Sequence, residues 1–429
     1  MPNWRNWAGS VRVSPRRLVR PSSIAEIQDI VRRLPIGGRV RMTGSGHSFT
    51  PIAITNDVLM QPSDFGEGIG VDSRRGVARL PAGMTLRDAN IHLAAAGFAL
   101  TNMGDITAQT IAGSISTSTH GTGLAFTGLA GQVEGFGLVC ADGSHLDCSS
   151  SENSDVWRLG RVGLGALGIL TYVDMKVVPA FRLHAVEEPR RLADVLENFD
   201  RIVGSVDHFE FYWIPHTKWT LTKTNLRTQE PPRSRSRSGK WWTKTVMENY
   251  AFGAVCAAGR MAPSLIPRLA TALPSSGRQE FIESSHEVFA TRRLVRFHEM
   301  EYSIPRRHLV EVLRLIVEAV ERSNLKISFP VEVRVTGPDD VPLSTSFGRE
   351  SAYIAVHMYR GMPYERYFRM VEEILLTFEG RPHWGKIHFQ SANTLRSRYP
   401  QFEDFCGLRS RLDPRGVFLN EYVERVLGI

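Results

Sequence analysis

The sequence predicts an α+β protein of more than one domain, and three observations carry this. At about 150 residues per domain, 429 residues make two or three domains. Glycine is unevenly spread, with 24 of 37 in residues 1–180, which places a boundary near Pro179. Helix-like and strand-like patterns are intermixed throughout; short ones fill the first segment, and longer ones in the order β-α-β-β-α fill the second. That order suits helices packed on one face of a largely antiparallel sheet.

In the first segment, Ser23 is placed to cap a helix carrying Ile24, Ile27, Ile30 and Val31 on one face, which leads into the short strand RVRM. Thr85 likewise caps TLRDANIHLAAA, and Gly97 ends it. GLVCADGSHLDC reads as a hairpin turning at Asp142-Gly143, and ILTYVDMKVV alternates as a strand does. Thirteen glycines between Gly104 and Gly168 mark backbone that turns tightly where it approaches a ligand.

From residue 181 the pattern predicts a helix over RRLADVLENFDRIV, strand HFEFYWI, strand EMEYSI and helix RRHLVEVLRLIVEAVERS. Strands ISFPVEVRVT and SAYIAVHMY and the helix YERYFRMVEEILLTFEG follow. On the first of these strands Val331, Val333 and Val335 share one face, while Glu332 and Arg334 share the other. On the second, Ile354, Val356 and Met358 oppose Tyr353, His357 and Tyr359. As a pattern, the Glu332–Arg334 pair reads first as a solvent-facing salt bridge worth ~0.5 kcal/mol. Were the two strands neighbours, their polar faces would form one wall suited to a polyhydroxylated ligand.

Composition excludes several classes. With 42% hydrophobic and 22% charged residues and no G-X-Y period, the chain is neither disordered nor collagenous. No run reaches the ~18–20 apolar residues of a membrane span, and the N-terminal residues lack a signal-peptide core. The expectation is a cytoplasmic protein with no transmembrane segment, peripheral membrane association remaining open. Cys140, Cys148, Cys256 and Cys406 fit no zinc or redox spacing, so free thiols and no metal are expected. A net charge of +8 favours anionic ligands mildly. The basic patch Arg233, Arg235, Arg237 and Lys240 reads as a solvated loop, without the stacking aromatics of an RNA-binding module.

Two glycine motifs diverge in meaning. GLGALG (163–168) matches G-x-G-x-x-G, but a helix pattern precedes it and a strand follows, the reverse of a dinucleotide fingerprint. In GSGHSF, Gly44 and Gly46 let the main chain approach a ligand, and Ser45 and Ser48 can join its amides around a pyrophosphate. An ordinary Gly-Ser loop, with His47 at the surface, is the competing reading. A second loop of small hydroxylic residues around His120 favours a nucleotide-type cofactor.

Five blocks in register then resemble one family. These are GSGHS, NMGDITAQTIAGSISTSTHGTG, VEVRV followed by GPDD, RPHWGK at 381–386, and LDPRGVFLNEYVERVLG. Together they are similar to the aldonolactone oxidoreductases of the vanillyl-alcohol-oxidase flavoprotein superfamily, nearest the L-gulono-1,4-lactone oxidase and dehydrogenase branch. The resemblance implies a two-subdomain FAD-binding domain (1–180), a cap domain with an antiparallel sheet and helices (181–380), and a C-terminal segment (381–429) returning to the FAD domain. It implies FAD contacts from Gly44, Ser45, Gly46, His47, Ser48, Phe49, Gly104, Asp105, Gly113, Ser118, Thr119, His120, Gly121, Gly168 and Ile169, with His47 joined covalently to the flavin 8α-methyl carbon.

The implied reaction is hydride transfer from C2 of a sugar lactone to flavin N5, giving ascorbate or an analogue. Arg334 and Lys386 match the positions that stabilise charge on the reacting oxygen, Glu332 the one that orients substrate hydroxyls, and His357 lies on the same wall. Asp105 and Tyr359 are the expected substrate contacts, and Asp105 stands where alditol oxidases carry Ser. Gly104 stands where Ala is associated with blocking oxygen, so its smallness favours oxidase over dehydrogenase behaviour. The expected partners are a sugar lactone or polyol and oxygen or another electron acceptor, with no nucleic acid. The rival readings are an alditol oxidase acting on xylitol or sorbitol and, from another class, a non-catalytic nucleic-acid-binding protein.

Overall fold

The structure, a computed structural model, describes residues 3–62, 68–236, 239, 246, 249–272, 277–291 and 293–429. Two short strands, β1 (Trp4–Arg5) and β2 (Arg12–Val13), form an N-terminal ribbon. Next, β3 (Arg17–Val19), β4 (Val40–Met42) and β5 (Val58–Met60) make a parallel sheet in the order β3-β5-β4. The helix Ile24–Arg32 connects β3 to β4, and the Ser23 side chain accepts from the Glu26 amide as its capping position requires.

The second sheet holds β6 (Gly70–Asp72), β7 (Val77–Pro81), β8 (Phe98–Leu100), β9 (Val133–Val139), β10 (His145–Ser149) and β11 (Ile169–Pro179). Its order is β10-β9-β11-β7-β6, with β8 on the far end of β11. Thr85 caps the helix Leu86–Ala95. Gly143 turns the β9–β10 hairpin at φ +79°, which a side chain rarely adopts.

The third sheet is antiparallel throughout: β12 (Arg182–Arg191), β13 (His208–Trp213), β14 (Trp219–Thr228), β15 (Gln279–Ser284), β16 (Phe297–Pro305), β17 (Val331–Thr336), β18 (Ser351–Tyr359) and β19 (Arg381–Pro382). The strands run in the order β15-β12-β14-β13-β17-β18-β16-β19. One face carries Val331, Val333, Val335, Ile354 and Val356 into a core shared with the helices Leu309–Ser323 and Glu365–Thr377. The two strands expected to be neighbours are neighbours, with Arg334 opposite Tyr353.

Three expectations are corrected. The helix expected over RRLADVLENFDRIV (190–203) is two, Leu192–Glu197 and Phe199–Gly204, interrupted at Asn198 with φ −106° and ψ 13°. Strands β12, β14 and β15 were not anticipated, because β12 and β14 mix polar residues on both faces and Pro189 reads as a turn signal. The solvated basic loop is instead laid along β15: Arg235 lies 3.5 Å over the Phe281 ring beside Glu283, and Arg233 pairs with Glu280 at 2.8 Å. Arg237 and Lys240 lie outside the described residues.

The C-terminal residues pack with the N-terminal ones. Trp384, Tyr399, Phe402, Phe405 and Tyr422 share a core with Ile52, Leu80, Phe136 and Val173. All four cysteines are free. No helix among the described residues is long and apolar enough to cross a membrane.

Candidate active site

Between the parallel sheet, the β9–β11 sheet and the C-terminal segment lies a cleft of about 1270 Å³, its open mouth included. Gly44, Ser45, Gly46, His47, Ser48, Gly113, Gly168 and Ile169 line it, as do Thr110 and Arg41. The backbone has no room for side chains here. A Cβ at Gly44 would meet Thr110 Oγ1 at 2.5 Å, one at Gly168 would meet the Val139 carbonyl oxygen at 2.5 Å, and Gly46 has φ +74°.

Among the described residues, no main-chain N–H of residues 44–48 donates to another protein group. Backbone donors are normally paired, so five unpaired amides in residues that line a cleft are suited to cradle a ligand oxygen cluster. Arg41 is buried, donates through its two terminal nitrogens to the carbonyl oxygens of Ile52, Leu164, Gly165 and Phe418, and keeps Nε without a partner. Burial lowers it to about 10, so its charge persists at neutral pH. Open amides plus a buried cation with no carboxylate partner fit the pyrophosphate of a dinucleotide.

A smaller chamber of about 440 Å³ adjoins the cleft, and His47, Ser48, Gln109 and Thr117 border both. Its other walls include Trp7, Phe49, Phe297, Arg293, Glu299, His383 and Lys386. His47 stacks on Trp7 with ring centroids 5.5 Å apart. Burial, reinforced by Lys386, pushes His47 down to about 4, so at neutral pH its ring is uncharged and can act as a nucleophile.

Around the chamber the charged face of the cap sheet is buried. Arg334 touches Glu332 at 2.5 Å, Glu210 at 2.7 Å and Asp105 at 3.4 Å. Asp105 also takes Arg293 at 2.9 Å and Thr291 Oγ1 at 2.8 Å. The Tyr212 hydroxyl donates to Glu332 at 3.1 Å. Lys386 pairs closely with Glu299 and lies 3.8 Å from Glu301, while Glu299 lies 3.4 Å from His357 Nε2.

Electrostatics follow from these contacts. Burial alone would raise Glu299, but Lys386 and His357 hold it near 2. Burial would lower Lys386, but Glu299 and Glu301 raise it above the ordinary lysine value. Arg334 and Arg293 overcome burial and hold Asp105 well below the carboxylate range. Glu332 differs: burial wins over Arg334 and raises it.

The solvent-facing salt bridge anticipated for Glu332 and Arg334 is thus corrected, since both are buried beneath the N-terminal portion. Of the four expected catalytic groups only Lys386 borders the chamber; Glu332, Arg334 and His357 do not, Arg334 being paired with Glu332, Glu210 and Asp105, and His357 facing Glu299. Phe49 borders the chamber, whereas Gly104, Asp105, Ser118, Thr119, His120 and Gly121 line neither space. The expected single wall divides: Tyr353 packs on His120, and Tyr359 stacks on Phe329.

Sequence reasoning passed over Glu299, Glu301, Arg293, Glu210 and Arg41. The alternation in EMEYSI carried a signal for the two glutamates, which sit two positions apart and so share a face of the strand. Nothing local marked Arg293. Acceptor atoms of Glu299, Glu332 and His357 lie within 4.8 Å of one another. Lys386 and Arg334 already neutralise these carboxylates, so the group suits the hydroxyl donors of a polyhydroxylated ligand better than a metal ion.

Comparison with known proteins shows the family and the fold. A family profile described as D-arabinono-1,4-lactone oxidase matches residues 173–426, and one described as FAD binding domain matches residues 15–149. The chain is 43% identical to L-gulono-1,4-lactone dehydrogenase of Mycobacterium tuberculosis, across 100% of this chain and 99% of that protein. It is 33% identical to L-gulonolactone oxidase of Bos taurus (99% and 98% covered) and 30% identical to alditol oxidase of a Streptomyces species (98% and 98%). Among solved structures, a solvent-stable cholesterol oxidase superposes with a TM-score of 0.85 at 17% identity, covering 100% of this chain and 97% of that one. At that identity the likeness speaks for the fold: an FAD-binding domain plus a cap domain.

Proposed function

The chain belongs to the D-arabinono-1,4-lactone oxidase family of FAD-dependent aldonolactone oxidoreductases, and on that premise we propose that it oxidises an L-gulono-1,4-lactone-like sugar lactone at the C2 hydroxyl, giving ascorbate or an analogue. The observation that carries this reading is one shared wall: His47 borders both the cleft and the chamber into which Lys386 projects. Residues 1–180 are the FAD-binding domain, 181–380 the cap, and 381–429 the segment that returns.

FAD, when bound, supplies the two-electron acceptor for the hydride from C2. The open amides of residues 44–48, with Arg41 beside them, would hold its pyrophosphate, and neutral His47 would be the site of covalent attachment. Support for the attachment is the chemistry of a buried, uncharged imidazole at the junction of the two spaces.

The protein groups divide the remaining work. As the C2 hydroxyl gives up its proton, negative charge builds on its oxygen, and the Lys386 ammonium stabilises that charge until the hydride leaves C2. Glu299, which borders the chamber, accepts hydrogen bonds from the sugar hydroxyls, with Glu332 and His357 behind it. Glu332 is the cluster carboxyl that burial raises, so of these carboxyls it is best matched to carry a proton. Aromatic rings of Trp7, Phe49 and Phe297 exclude water. Oxygen is the favoured electron acceptor, because Gly104 adds no side chain beside residues 119–120.

The test is anaerobic stopped-flow reduction by L-gulono-1,4-lactone. Lys386→Ala and Glu332→Ala are each expected to slow reduction at least ~100-fold; reduction at the parent rate would remove them from the site. The second reading is alditol oxidation, favoured by the convergence of acceptor atoms. Steady-state turnover of the lactone against xylitol and sorbitol separates the two.

A further inference from the structure

His120 is buried and borders neither the cleft nor the chamber. Its Nδ1 donates to the Gly121 carbonyl oxygen at 2.9 Å, and its Nε2 lies 3.0 Å from Glu301 Oε1. Both partners are acceptors, so a proton must also lie between Nε2 and Oε1. The other Glu301 oxygen faces Lys386 Nζ at 3.8 Å. An unbroken file therefore runs from the Gly121 carbonyl through His120, Glu301, Lys386, Glu299 and His357, and closes at the Pro330 carbonyl, 3.0 Å from His357 Nδ1.

The surroundings hold His120 still. Its ring stacks on Tyr353 with centroids 3.4 Å apart and an interplanar angle of 21°. The loops that carry it are pressed together: a Cβ at Gly121 would lie 2.5 Å from the Met103 carbonyl oxygen, and one at Gly104 would lie 3.0 Å from the His120 carbonyl oxygen. A side chain so constrained, with a single polar task besides its backbone anchor, fixes whatever it binds.

We propose that His120 is a positioning residue for the oxidation: by fixing the Glu301 carboxylate, it holds a second anionic partner beside the Lys386 ammonium, which pairs closely with Glu299 at the chamber wall. The inference rests on Lys386 serving the reaction as described above. His120 touches neither substrate nor reacting atoms and acts through two intervening side chains.

Anaerobic reduction of the flavin-loaded enzyme by L-gulono-1,4-lactone tests it. His120→Ala should lower the limiting rate about 10- to 100-fold, while FAD content and the half-saturating lactone concentration stay within about threefold. His120→Gln, whose Nε2 donates to Glu301 as the histidine does, should restore the rate to within about threefold of the parent. The 15Nζ resonance of Lys386, assigned by its loss in Lys386→Met, should persist in the parent and in His120→Gln and broaden by exchange in His120→Ala. A parent rate per bound flavin in His120→Ala, or a His120→Gln variant as slow as His120→Ala, overturns the proposal. Should His120→Ala fail to fold, Glu301→Gln carries the test, with slow reduction supporting and the parent rate overturning. Lys386→Met separates the levels: unimpaired, it sinks the site reading and this inference together, whereas slow Lys386→Met with unimpaired His120→Ala sinks this inference alone.

Discussion

Replacing Arg334 with Met removes the one cation that touches Glu332, Glu210 and Asp105 together while keeping much of the side-chain length. At charge separations near 4 Å and an effective dielectric of about 20, each lost attraction amounts to about 4 kcal/mol before solvation is counted. Breaking a buried pair by removing one partner costs about 3–5 kcal/mol in practice, because the remaining charges find partial relief. Here the relief is a proton on Glu332, already raised by burial. Keeping a carboxyl protonated near pH 7.5 against an ordinary value near 4.5 costs about 4 kcal/mol, so both routes reach the same figure.

The sign with pH follows from linkage. A carboxyl whose folded-state value lies above its unfolded one gives full stability below the unfolded value and loses it as pH rises through the folded one. The deficit of Arg334→Met relative to the parent should therefore be about 4 kcal/mol at pH 8 and under about 1 kcal/mol at pH 5. Urea unfolding followed by tryptophan fluorescence at the two pH values measures it. A deficit that is small at pH 8, or equal at both, refutes the reasoning. Arg334→Lys should recover little, because a single ammonium cannot serve three carboxylates as the guanidinium fork does.

Three further outcomes are expected. After denaturation of the parent protein, flavin fluorescence should stay with the polypeptide and should leave it in His47→Ala; release from the parent ends the covalent assignment. Burial holds His208 near 4 and His383 and His388 near 3, all neutral in the fold. Stability should therefore fall as pH drops from about 6.5 toward 4, by up to about 2 kcal/mol per histidine at pH 5, and a flat melting temperature between pH 7 and 5 would contradict this. Gly104→Ala should slow reoxidation by air more than reduction by substrate, since its Cβ would press on the His120 carbonyl at 3.0 Å; equal slowing of both half-reactions argues against an oxygen-access role.

The features legible in the sequence were those encoded within a few residues. Ser23 and Thr85 cap their helices because each hydroxyl meets an amide three residues on, and Gly143 turns its hairpin because only glycine takes that φ cheaply. Alternation assigned Val331, Val333 and Val335 to the core and left Glu332 and Arg334 on the opposite face. Five ordered motifs carried the family, and with it the flavin.

Whether that opposite face met water was not encoded locally. Glu332 and Arg334 are buried because residues 102–123, some 200 positions away, cover the sheet and bring Asp105 against Arg334. Glu299 and Glu301 became site residues only once β16 paired with β18 and Lys386 arrived from beyond β19. The likeness of charge patterns in exposed and buried strands is what hid them: a period of two says which side chains share a face, and only the packed fold decides what lies against it.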